Sequence, residues 1–81
     1  MSPTVFLYGR YRFYFNSREE ERMHVHIQAP DGEAKFWIEP VIAVAGNYGL
    51  KPHELKKVQN IVEERSDEIV KAWRKHFGKR S

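Results

Sequence analysis

The sequence predicts an α+β fold: a small antiparallel sheet of four or five strands, with a long C-terminal helix packed on one face. Three observations predict it. Residues 4–39 carry short runs of alternating apolar and polar side chains, separated by turn signals. Residues 52–77 change to apolar spacings of three and four, the period of one helical face. A chain of 81 residues makes one domain and not two, here residues 1–81, and four Tyr, five Phe and two Trp supply a dense core for it.

Each element has its own reason. Thr4-Val5-Phe6-Leu7-Tyr8 is a β-rich run, and Gly9-Arg10 suits a two-residue hairpin turn because Gly tolerates positive φ. In the strand that follows, Tyr11, Phe13 and Phe15 point one way, while Arg12 and Tyr14 point the other. Residues 16–22 are polar and read as a loop that includes the acidic cluster Glu19-Glu20-Glu21. In Met23-His24-Val25-His26-Ile27-Gln28, Val25 and Ile27 should face the core, and His24, His26 and Gln28 should share the opposite face. Pro30-Asp31-Gly32 is a turn. After it, Ala34, Phe36 and Ile38 form one set, and Glu33, Lys35, Trp37 and Glu39 form the other. The two sets exchange faces if Trp37 packs beneath the helix.

Pro40 should end or bulge that strand. Residues 41–45 fit a short strand or a buried helical turn, and Gly46-Asn47-Tyr48-Gly49 reads as a loop. Pro52 suits the first position of a helix. Leu55, Val58, Val62, Ile69, Trp73 and Phe77 hold one phase, which favours a single helix over 52–77; a break near Arg65-Ser66-Asp67 is the alternative. Gly78 is a natural stop. Lys71, Arg74 and Lys75 near that end suit the helix dipole, so the basic tail has a structural explanation that needs no ligand.

Composition narrows the function classes. With no cysteine there is no disulfide scaffold, thiolate metal site or Cys nucleophile. No stretch approaches the length of a membrane span, and the apolar run near the start lacks a basic leader, so a cytoplasmic location is the expectation. A net charge of +3 does not by itself imply nucleic acid. Residues 71–80 nevertheless carry five basic side chains and no acid. No cofactor motif is present.

The sharpest feature is His24-x-His26. Two strand residues spaced by two project from one face, with their backbones roughly 6–7 Å apart. Pairing across the Pro30-Asp31-Gly32 turn would add Glu33, Lys35 and Trp37 to that face, and an adjacent second strand would add Arg12 and Tyr14. These residue types suit metal-independent RNA cleavage. A neutral His takes the 2′-hydroxyl proton, a protonated His supplies one to the leaving 5′-oxygen, and Lys35 or Arg12 stabilises the phosphate charge. Tyr14 or Trp37 would stack a base. The bland reading is an ordinary polar sheet face. A zinc site needs a third ligand beside His24 and His26, for which Glu33 and Glu39 are the candidates. A binding module for a partner protein or nucleic acid is the other alternative.

The chain resembles the bacterial family called domain of unknown function 4160 over nearly its whole length. The resemblance rests on Pro3-Thr4-Val5, Tyr11-Arg12-Phe13-Tyr14-Phe15, His24-Val25-His26-Ile27 and residues 32–41. It continues through Pro52, Glu54-Leu55, Ile61-Val62-Glu63, Ala72-Trp73 and Phe77-Gly78. Two departures are Arg22-Met23, where similar chains often have Pro, and Lys51, where they often have Ser or Thr. The resemblance implies one half of a two-gene module of toxin–antitoxin type, with a small antitoxin-like partner, commonly from domain of unknown function family 2442.

Overall fold

A computed structural model describes residues 4–16 and 22–78. The acidic cluster at 19–21 and the last basic residues, Lys79 and Arg80, lie outside the described residues. Five strands pair in simple sequential order: β1 (Thr4–Tyr8), β2 (Tyr11–Tyr14), β3 (His24–Ala29), β4 (Gly32–Trp37) and β5 (Ala43–Tyr48). Every adjacent pair is antiparallel. Two helices follow, α1 (Pro52–Glu64) and α2 (Ser66–Phe77).

The strand alternation becomes a two-faced sheet. Phe13 pairs with Ile27, Ile27 with Ala34, and Val25 with Phe36. These side chains are buried with Phe6, Tyr11, Phe15 and Ile38. The helices bring Val58, Ile61, Val62, Ile69 and Trp73 into the same core. Burial of this apolar set is the main driving force for the fold. The helical phase read from the sequence therefore names the packed face correctly.

The helix is not continuous. Arg65 leaves the helical region at φ −114° and ψ 25°, so the break falls at the alternative position and not within one long helix. The axis of hydrogen bonding carries on nearby, with Arg65 N–H donating to the Ile61 carbonyl and Ile69 N–H to that of Arg65. The Arg65 guanidinium lies 3.9 Å from the Phe6 ring centre and bonds Glu68 Oε1 at 2.9 and 2.7 Å. Apolar periodicity continues across the break because both helices pack on one core, and it therefore cannot reveal a bend between them.

The second correction is β5. Residues 46–48 are strand and not loop. Gly46 and Asn47 have weak strand propensity, but pairing with Lys35 and Ala34 satisfies their backbone. The Asn47 side chain also accepts from Leu50 N–H and donates to the Leu50 carbonyl, both at 3.0 Å, which ties the strand end to the start of α1. Lys51 precedes Pro52 without a side-chain cap.

Candidate functional site

The strand register arranges the second sheet face in three cross-strand rows. Leu7, Arg12, Gln28, Glu33 and Tyr48 form the first, and Thr4, Tyr14, His26, Lys35 and Gly46 the second. His24, Trp37 and Ala43 form the third. Trp37 belongs to this face and does not lie beneath a helix: the Arg22 guanidinium sits 4.1 Å and Lys35 Nζ 4.6 Å from its ring centre. The face assignment made from alternation holds, and its inverted alternative does not.

His26 is half-buried and central. Its ring stacks on Tyr14 with centroids 5.2 Å apart, and Arg12 covers Tyr14 at 4.5 Å. Asn16 Nδ2 lies 3.1 Å from His26 Nε2. An amide nitrogen only donates, so this contact is a hydrogen bond in the tautomer whose Nε2 accepts. Arg12 is anchored in turn by Nε donating to Thr4 Oγ1 at 2.8 Å.

His24 is in register with this face but is only 1% exposed. Its ring is packed edgewise against His26 at 5.0 Å, Trp37 at 5.7 Å and Trp73 of α2 at 5.4 Å. Nδ1 donates to the Arg22 carbonyl at 2.8 Å, which fixes the proton on that nitrogen in the neutral ring. Strand alternation gives the direction of a side chain and not its depth. His24 begins β3, where Trp73 from a helix distant in sequence closes over it.

The fold thus brings together His24, His26, Tyr14, Lys35 and Trp37, with Arg12 reaching over from the neighbouring row. Glu33 is exposed and stands on the same face, in the row of Arg12 and Gln28, next to the His26 row and two rows from His24. Among the described residues no group of three or more His, Cys, Asp or Glu converges in a way that would hold a metal ion. Glu33 and Glu39 do not form such a group with the two histidines. Asn16, Arg22 and Trp73 belong to the cluster but were not among the expected site residues. Arg22 had one signal, its place two residues before His24. Asn16 read only as the start of a loop, and Trp73 only as a core position.

The family model described as "Domain of unknown function (DUF4160)" matches residues 10–74. The chain belongs to this family. The matched DUF4160 segment contains β2 to β5, α1 and most of α2, including Arg12, Tyr14, His24, His26, Glu33, Lys35 and Trp37. No curated protein and no solved structure gives a significant match to this DUF4160 chain. None of its described helices is long and apolar enough to cross a membrane.

Proposed function

We propose that the DUF4160 sheet face binds single-stranded RNA and that the chain is a toxin-like effector of a toxin–antitoxin-type module. The observation that carries the RNA reading is the interleaving of cations and flat rings on one face. Arg12 lies over Tyr14, Tyr14 stacks on His26, and Arg22 and Lys35 lie over Trp37. Single-stranded nucleic acid is held by just this pairing of phosphate-binding cations with stacking rings. The module context and a small antitoxin-like partner come from the family resemblance.

Metal-independent cleavage is the chemistry the histidine pair would add. Neutral His26 takes the ribose 2′-hydroxyl proton through Nε2, once RNA displaces the Asn16 amide. The 2′-oxygen bonds to phosphorus as the bond to the 5′-oxygen breaks, and His24, once uncovered from Trp73 and protonated on Nε2 while Nδ1 stays on the Arg22 carbonyl, supplies the proton that leaves with that oxygen. Lys35 and Arg12 hold the phosphate charge. The products are a 2′,3′-cyclic phosphate and a free 5′-hydroxyl.

Burial of His24 favours a second reading, a non-catalytic module that binds RNA or a partner protein. In that case His24 only supports His26 and Trp37. The deciding experiment is cleavage of end-labelled RNA, with and without EDTA, by wild type, His24→Ala and His26→Ala. Cleavage that survives EDTA, leaves cyclic phosphate and disappears in folded His26→Ala supports the endoribonuclease. RNA binding without cleavage supports the binding module. If folded wild type neither binds nor cleaves, the RNA reading fails.

A further inference from the structure

A pocket of about 310 Å³ lies between the first two strands and the end of α2, lined by Thr4, Val5, Phe15, Ala72, Lys75 and His76. We propose that it binds one nucleotide, with the base on His76 and the phosphate on Lys75 and Thr4. This deepens the RNA reading by giving the strand a second subsite beyond the sheet face.

The size suits a single base, since pockets for small molecules begin at roughly 300 Å³. Val5, Ala72 and Phe15 supply an apolar floor. The His76 ring lies nearly parallel to that of Phe15, at 28° with centroids 6.4 Å apart. Phe15 is buried and backs the His76 ring, so a base would stack on the exposed side of His76 and not between the two rings. Among the described residues the polar lining is Lys75, His76 and Thr4, with no carboxylate. Thr4 Oγ1 accepts from Arg12 Nε and retains one proton that a phosphate oxygen could accept. The same bond joins the pocket to the sheet face, because Thr4 stands in the row of Tyr14, His26 and Lys35. Thr4 therefore borders both the sheet row and the pocket that Lys75 lines.

The test is a titration of the full chain followed by NMR of the histidine and aromatic side chains. The probes are 5′-AMP, inorganic phosphate and a short single-stranded RNA. 5′-AMP should shift His76 and Phe15, phosphate alone should not shift the Phe15 ring, and Lys75→Glu should weaken AMP binding by about tenfold. RNA acting at a lower concentration than AMP identifies a nucleotide within a strand as the occupant; AMP acting alone identifies a free nucleotide. If AMP and RNA leave His76 and Phe15 unmoved, or phosphate shifts both as strongly as AMP, the nucleotide pocket is overturned. The two readings fail separately. RNA that shifts His26 but not His76 removes the pocket and keeps the sheet face. AMP that shifts His76 while RNA leaves His26 unmoved does the opposite.

Discussion

His24 and His26 differ by two positions in sequence and by almost their entire environment. His26 is open enough to meet a ligand, whereas His24 is enclosed by three rings and bonded to a backbone carbonyl. Truncating His24 leaves a cavity among His26, Trp37 and Trp73 and removes the bond to the Arg22 carbonyl, so His24→Ala should cost about 2–3 kcal/mol of stability. His26→Ala should cost less than about 1 kcal/mol, because that ring is partly solvated. Urea unfolding of the two variants measures the difference, and equal losses would contradict the burial argument. The comparison also bears on function. Lost activity in His24→Ala has a structural explanation, while lost activity in a stable His26→Ala does not.

Two junctions decide how the elements meet. At the helix break, Arg65 lies over the Phe6 ring and binds Glu68. Partial exposure weakens the ion pair, so contact with Phe6 should dominate. Arg65→Ala should lower stability by about 1 kcal/mol even though Ala is the better helix former. A variant as stable as wild type in thermal unfolding would show that the junction needs no such clamp. At the other junction, a Cβ on Gly32 would overlap the Tyr48 carbonyl oxygen and press on the Gly49 backbone. Backbone cannot rotate away as a side chain can. Gly32→Ala should therefore cost about 2–3 kcal/mol and loosen β5 from β4, seen as faster amide exchange at residues 46–48. Unchanged exchange there would refute the contact's importance.

Among the described residues, two groups of basic side chains stand out. Arg12, Arg22 and Lys35 lie on the sheet face, and Lys71, Arg74 and Lys75 on α2. Engagement of about four phosphates predicts a log–log salt slope of about −3 for single-stranded RNA. Lys35→Glu should flatten it, and so should Lys75→Glu if the α2 pocket is part of the path. Binding indifferent to salt, measured by fluorescence anisotropy, would rule out this electrostatic account. The modest net charge of +3 is compatible with it because placement, more than the total, sets the local potential.

The sequence by itself determined the α+β class, the two sheet faces and the packed helical face. Period-two and helical spacings are local properties, and burying one face forces the chain to obey them. Membership of His24, His26, Lys35, Trp37, Arg12 and Tyr14 on one face was legible for the same reason. Only the tertiary structure decided that β5 continues through Tyr48 and that the helix breaks at Arg65. Only there, too, is His24 covered. These outcomes depend on partners far along the chain: β4 for the Gly46-Asn47 backbone, Phe6 for Arg65, and Trp73 for His24. A pattern of polarity specifies which way a side chain points, but its depth is set by whatever the fold places above it.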